Sequence, residues 1–203
     1  MTRTRHLPAE ERKELTVRTV VELCAEQDPA RITTAAIAER MKVTQGALFR
    51  HFSSKDEIWQ AVMAWVAEQV MRRLDKTVAR DGTSLATLEA MFMAHIDFIT
   101  EHPGVPRLML GQLQHAEPTP ATRLVRSILA RYRERLAALL TRGKASGELR
   151  GDLDIEAAAT QFIGTLQGLV VQSLIAGNVQ RIAEQAPGAF LLYRRGIQAG
   201  EAS

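Results

Sequence analysis

Residues 33–55 read TTAAIAERMKVTQGALFRHFSSK, and their spacing decides the fold. Thr33 or Thr34 can cap one helix and Thr44 a second, because a threonine hydroxyl accepts from the open N–H groups of a first turn. The first helix is expected to run to about Met41 and the second to about Phe52. Only Lys42-Val43 lies between them as a turn. Ile37, Met41, Val43 and Leu48 stand at spacings that pin two short helices together, and Ala38 is small where they must touch. Such a pair, with the start of its second helix open, is a helix-turn-helix able to enter a major groove.

The side chains at that open end suit DNA. Gln45 can bond bidentately to adenine, and Gly46 and Ala47 let the backbone approach a thymine methyl. Arg50 can reach a guanine edge or a phosphate. Thr33, Thr34, Thr44, His51 and Lys55 offer donors to phosphates, joined by the backbone donors of two helix N-termini. Each alone has a plainer role: a threonine caps, a glutamine or lysine is solvated, a histidine packs. Their joint spacing over 23 residues carries the reading.

Outward from this stretch everything reads as helix. Val17, Val20, Val21 and Cys24 recur at i, i+3, i+4 and i+7, one apolar face of a helix that starts near Pro8 and ends at Asp28-Pro29. Ser54 and Glu57 form a capping box that opens a long helix with Ile58, Val62, Trp65, Val66 and Leu74. Further helices are expected at roughly 84–102, 104–115, 119–145, 154–177 and 180–198. Pro103-Gly104 breaks the first pair, Thr119-Pro120 is a cap followed by a first-turn proline, and Gly147, Gly151 and Asp152 interrupt the chain before the next. The fold class is all-α: an N-terminal three-helix head, residues 1–55, and a C-terminal helical body, residues 56–203, about nine helices together.

Charge is distributed in the same sense. Residues 1–55 hold ten Lys/Arg against seven Asp/Glu, and residues 56–203 hold sixteen of each, so the positive excess lies in the head. The tail Thr2-Arg3-Thr4-Arg5-His6 is either a minor-groove arm or a solvated end. A single cysteine, Cys24, rules out an internal disulfide and fits a reducing, cytoplasmic setting. Its place on an apolar stripe makes it a packing residue. The opening residues are polar and charged, with no signal-peptide pattern. Ala157 to Gln180 carries no charge, yet its four glutamines, one asparagine and hydroxyl residues are costly in hydrocarbon, so a helix enclosed by protein is expected and no membrane. No Gly-rich phosphate loop, nucleophile elbow or metal-spaced His/Cys cluster occurs, and the five histidines are scattered, so neither an enzyme nor a cofactor is expected.

At residues 10–60 the chain resembles the DNA-binding domain of the TetR family of bacterial regulators. The run LFRHF-x-x-K is the most specific part. The resemblance implies an all-helical homodimer with a ligand-binding and dimerisation body. It also implies that Thr33, Thr34, Thr44, Gln45, Gly46, Ala47, Phe49, Arg50, His51 and Lys55 face DNA. Three positions depart from the family pattern: Phe49 stands where a tyrosine is usual, Lys42 where the turn usually has glycine, and Asp28-Pro29 where a glycine usually follows the first helix. A missing tyrosine hydroxyl costs about 1 kcal/mol. A left-handed lysine carries roughly 1–2 kcal/mol of strain, part of which a phosphate contact can offset.

For the body, the family pairs its last long helices into a four-helix bundle. The uncharged helix has two apolar stripes. Phe162, Leu166, Leu169 and Ser173 are the candidate dimer stripe, and Ile163, Val170, Leu174 and Ile175 form the other. Gly164 and Gly168 would allow close helix approach. Candidates for lining a small-molecule pocket are Trp65, Met91, Phe92, His95, Phe98, Met109, Gln112, Phe162 and Gln167. The expected function is a sequence-specific regulator, a repressor released by a small-molecule ligand from a near-palindromic operator in double-stranded DNA. The alternative is a DNA-bound structural or signalling protein that controls no promoter.

Overall fold

A computed structural model describes residues 8–78, 82–114 and 119–200. Among them are nine α-helices: α1 Ala9–Glu26, α2 Thr34–Arg40, α3 Gln45–Leu48, α4 Lys55–Val78, α5 Ser84–Glu101, α6 Gly104–Leu113, α7 Pro120–Ala145, α8 Ile155–Ile175 and α9 Arg181–Ile197. No strand is present in the described residues, only one antiparallel bridge between Leu149 and Gln198. The all-α expectation holds. The tail 2–6 and His115 lie outside the described residues.

Local chemistry sets most helix ends. Thr119 Oγ1 accepts the Thr122 N–H at 3.1 Å, and Asp154 accepts the Ala157 N–H at 3.0 Å. After α1 the chain does not stop at Asp28-Pro29 but tightens. Asp28 accepts the Ala30 N–H at 2.9 Å and caps a 3-10 turn over Pro29–Arg31. The capping box at α4 is offset by one residue. Ser54 Oγ accepts the Glu57 N–H at 3.2 Å, but the Glu57 carboxylate reaches back to the Ser53 N–H and hydroxyl rather than to Ser54. Those Ser53 hydrogen bonds, the backbone one first, hold the Glu57 carboxyl below its ordinary pKa.

Two compact units divide the described residues. The first comprises the chain up to Glu68 together with His102–Arg126. Its core is the Val17, Val20, Val21 and Cys24 stripe of α1, with Ile32, Ile37, Leu48, Phe52, Ile58 and Val62, all buried. Here α1 and α6 come so close that a Cβ on Gly104 would lie 2.0 Å from the Val21 carbonyl oxygen. Burial pushes the Cys24 thiol up to about 12, so it stays protonated and unreactive, as a packing residue should.

The second unit comprises Gln69–Glu101 and the chain from Ser127 onward. Its centre is aromatic. Phe92 meets Phe162 edge-on at 5.3 Å and Phe190 at 5.4 Å, and Phe162 meets Tyr193 at 5.4 Å. Tyr193 satisfies its hydroxyl by donating to the Ala158 carbonyl at 3.2 Å. Glu148, 64 residues away in sequence, caps α5: its oxygens accept the Ser84 and Leu85 N–H groups, each at 3.1 Å.

This packing corrects the assignment of faces on α8. Phe162, Leu166, Leu169 and Ser173, read as the dimer stripe, are 0%, 3%, 7% and 2% exposed and lie inside the chain's own core. The aromatic partners on α5 and α9 select Phe162, and the rest of the stripe follows at helical spacing. Gln167, read as a pocket residue, points outward and is exposed. By length and composition α8 is the one described helix able to cross a membrane. Its buried stripe packs against protein, as the helix of a soluble core does.

Candidate nucleic-acid interface

Two interlocking caps and one strained turn build the head. Thr33 Oγ1 accepts the Ala36 N–H and Thr44 Oγ1 the Ala47 N–H, both at 3.1 Å, so Thr33 rather than Thr34 caps α2. Between the helices Lys42 is left-handed, with φ 55°. The Lys42 N–H bonds to the Glu39 carbonyl and the Val43 N–H to the Ala38 carbonyl, both at 2.9 Å. This is a Schellman closure, whose left-handed position glycine usually fills. It redirects the chain within two residues, and Ala38, 3% exposed, sits where the helices touch.

The second helix is shorter than expected. α3 ends at Leu48, and residues 49–51 form a turn in which the His51 N–H bonds back to the Leu48 carbonyl at 3.0 Å. Leu48 and Phe52 are both buried and anchor this turn to the core. What remains outward is the contact set. Gln45, Gly46 and Arg50 are exposed, Ala47, His51 and Lys55 are half-buried, and Phe49 is 42% exposed. Nothing lies within 4 Å of a Cβ built on Gly46, so the backbone there is open to a close approach. Gln45 Nε2 donates to Thr34 Oγ1 at 2.6 Å, which joins the α3 start to the α2 start. Thr34 thereby holds the amide in place. Lys55 Nζ lies 5.9 Å from the Trp59 ring centroid, a weak cation–π contact that leaves the ammonium half-exposed. Arg40 is turned away from this set and is ion-paired with Glu26. All ten predicted residues therefore fall on Thr33–Lys55, none of them in the buried core.

The predicted ligand-lining residues do not form one set. Trp65, Met109 and Gln112 belong to the first unit. Trp65 meets His102 edge-on at 5.1 Å, and Gln112 lines a cleft of about 430 Å³ with Lys55, Trp59 and Gln60. Met91, Phe92, His95, Phe98 and Phe162 belong to the second unit, and Phe92, His95 and Phe162 make ring contacts in its aromatic centre. The sequence reading missed Tyr132. It stands in the buried α7 series Val125, Ile128, Tyr132, Leu136, where its spacing marks it only as core. Its ring meets that of His95 edge-on at 5.7 Å. His95 Nδ1 and Tyr132 Oη are the two enclosed side-chain polar atoms, among the described residues, with no hydrogen-bond partner. Burial lowers the His95 pKa to about 4 and raises that of Tyr132, so both are neutral near pH 7.

Residues 18–62 match the family described as bacterial regulatory proteins of the tetR family, and residues 84–187 match the tetracyclin repressor-like C-terminal domain. The chain belongs to the TetR family. A TetR-family regulator from Chloroflexus aurantiacus J-10-FL superposes with a TM-score of 0.79 over 95% of this chain and 98% of its own, at 20% identity. The regulator FadR of Bacillus subtilis, solved with stearoyl-CoA, superposes with a TM-score of 0.78 over 91% of this chain and 99% of its own, also at 20% identity. A nucleoid occlusion factor, SlmA of Marinomonas sp. (strain MWYL1), is 24% identical over 70% of this chain and 72% of its own. As a TetR-family member with this head, the protein is a DNA-binding transcriptional regulator.

Proposed function

We propose that this TetR-family protein is a cytoplasmic repressor that a small molecule releases from a near-palindromic operator. The head, residues 1–55, reads DNA, and the body, residues 56–203, dimerises and senses the ligand. The observation that carries the reading is the exposed set Gln45, Gly46, Phe49 and Arg50 on a short helix and the turn that follows it, fixed by the Thr44 cap and the Lys42 turn. Gln45 makes the base contact with adenine. Arg50, His51, Lys55 and the threonines hold phosphates.

Dimerisation is supported by what the second unit leaves uncovered. On α8, Val171 is 41% and Ile175 82% exposed; on α9, Leu191 is 45% and Leu192 70% exposed. Gly164, Gly168 and Gly188 have no atom within 4 Å of a built Cβ, so these helices can be approached closely. A second copy covering this face sets two heads on successive major grooves, about 34 Å apart. To empty an occupied operator, the ligand must prefer the non-binding conformer by roughly 5 kcal/mol.

The test is selection of bound genomic fragments by the purified protein at physiological salt, with Gln45→Ala alongside. Near-palindromic sites beside promoters, lost or relaxed at one base in the variant, support the regulator reading. The similarity to a nucleoid occlusion factor favours a second reading, a DNA-bound structural role. Specific sites scattered away from promoters would select it.

A further inference from the structure

Gln45 and Thr34 are 11 residues apart and start different helices, yet Gln45 Nε2 donates to Thr34 Oγ1 at 2.6 Å. The fold of the head brings this about. Thr33, not Thr34, caps α2 by accepting the Ala36 N–H at 3.1 Å, so helix formation does not use the Thr34 hydroxyl. The left-handed Lys42 turn folds α3 back on α2 over the buried Ile37, Ala38 and Leu48, and the two helix starts meet. Gln45, the first residue after the Thr44 cap, reaches Thr34 there. Its side chain is otherwise at the exposed end of α3, beside a Gly46 with nothing within 4 Å of a built Cβ. An exposed glutamine turns freely and offers either end of its amide to a partner. Here the nitrogen end is tied.

What remains of the amide decides what it can read. A glutamine amide carries two hydrogens on Nε2 and two lone pairs on Oε1. With both hydrogens available it can serve guanine, whose major-groove edge is the acceptor pair N7 and O6, as well as adenine, whose N7 acceptor stands beside an N6 donor. The Thr34 hydroxyl takes one hydrogen. One N–H and the carbonyl oxygen are left, a donor beside an acceptor, which complements adenine. Guanine would set its O6 against Gln45 Oε1, two acceptors facing each other. We propose that Thr34 is a positioning residue for base selection: by occupying one Nε2 hydrogen of Gln45 it commits the amide to adenine and turns guanine away. Thr34 accepts through an oxygen lone pair and keeps its own proton, which can still go to a phosphate, so one hydroxyl links a backbone contact to a base contact. Thr34 acts only through Gln45, and its role therefore rests on the reading of Gln45 as the base contact.

The experiment selects bound duplexes from randomised double-stranded oligonucleotides with the full-length parent, Gln45→Ala, Thr34→Val, Thr34→Ala and Thr34→Ser. The base position that Gln45→Ala relaxes is the one Gln45 reads. Fluorescence anisotropy then measures each protein on versions of the best duplex that differ only at that position, and on a scrambled duplex. The parent should prefer adenine over guanine there by about tenfold or more, as one bidentate pair gives. Thr34→Val and Thr34→Ala should narrow that ratio to about threefold or less while other positions keep theirs, and Thr34→Ser, which retains the hydroxyl, should hold it. A lost phosphate contact lowers affinity for every duplex, the scrambled one included, and leaves the ratio alone, so the ratio isolates positioning. Melts within about 2 °C of the parent confirm that the variants fold. Four results overturn the role of Thr34 and leave Gln45 as the base contact. The parent selects a base other than adenine at the relaxed position; Thr34→Val or Thr34→Ala keeps the parent's ratio; either relaxes all positions alike; or Thr34→Ser narrows the ratio as far as they do. If Gln45→Ala relaxes no position, the base contact itself is refuted, and Thr34 has nothing to position.

Discussion

Lys42 separates two contributions that the head combines at one residue. Its φ of 55° is the only positive value at a non-glycine among the described residues. An L-residue there carries roughly 1–2 kcal/mol of strain, which glycine relieves. Glycine in turn makes the unfolded chain freer, at about 0.5–1 kcal/mol. The difference leaves Lys42→Gly more stable by about 0.5–1 kcal/mol, a rise in Tm of about 1–4 °C for a chain of this size. Lys42→Ala keeps the strain and removes the charge, so it should bring no gain. Thermal melts followed at 222 nm compare the three proteins. DNA binding should move differently. Lys42 is exposed beside the contact set, and if it meets a phosphate, removing it lowers the slope of log K against log salt by about 0.9 per contact, or about two units for a dimer. Both variants should show this loss on the same operator fragment by fluorescence anisotropy between low and moderate potassium chloride. A Lys42→Gly protein that melts lower than the parent, or a Lys42→Ala protein that gains as much stability, refutes the strain argument. An unchanged salt slope in both refutes the phosphate contact.

Other positions yield separate tests. Gly104→Ala places a Cβ 2.0 Å from the Val21 carbonyl and 2.8 Å from the Ala25 nitrogen, both backbone atoms that cannot swing aside, so α1 and α6 must part; urea unfolding should show a loss of about 1–3 kcal/mol or more, and a neutral result would mean the two helices are not so close. Glu148→Gln tests the α5 cap. Burial opposes the Glu148 charge, but the Leu85 and Ser84 N–H groups and the Ser146 and Thr83 hydroxyls outweigh it and lower the pKa. A depressed folded pKa contributes stability above the unfolded value near 4.5 that disappears as pH falls through the folded one. The parent should therefore exceed the variant by about 1 kcal/mol at pH 7 and lose that advantage below pH 4.5; an advantage that persists in strong acid would exclude the carboxylate as its source. Ile175→Glu with Leu192→Glu puts charge on the uncovered α8 and α9 face, and sedimentation should show a folded monomer; an intact dimer would locate the interface elsewhere.

What the sequence disclosed, and what it withheld, follows from the range of the interactions. The head was legible because its determinants are local. Thr33 and Thr44 each bond three residues onward, Lys42 and Val43 close on carbonyls three and five residues back, and Leu48 and Phe52 are one helical turn apart. A short window of sequence contains every partner. The length of α3 was the local miss. Helical periodicity continues through Phe52, but the Leu48–His51 hydrogen bond spans three residues, not four, and the helix gives way to a turn. The faces of α8 were not legible for the opposite reason. Both stripes are apolar, and periodicity cannot rank them. The choice is made by Phe92, seventy positions before Phe162, and by Tyr193, thirty-one after it. The Glu148 cap and the His95–Tyr132 pair are equally remote, at 64 and 37 residues. Tyr132 shows the same limit. On its own helix it is one more core residue in an i, i+4 series. The ring it meets edge-on, His95 of α5, is 37 positions earlier and cannot be read from α7 alone. A head whose partners are local and a body whose contacts are long-range therefore differ in what a single sequence discloses.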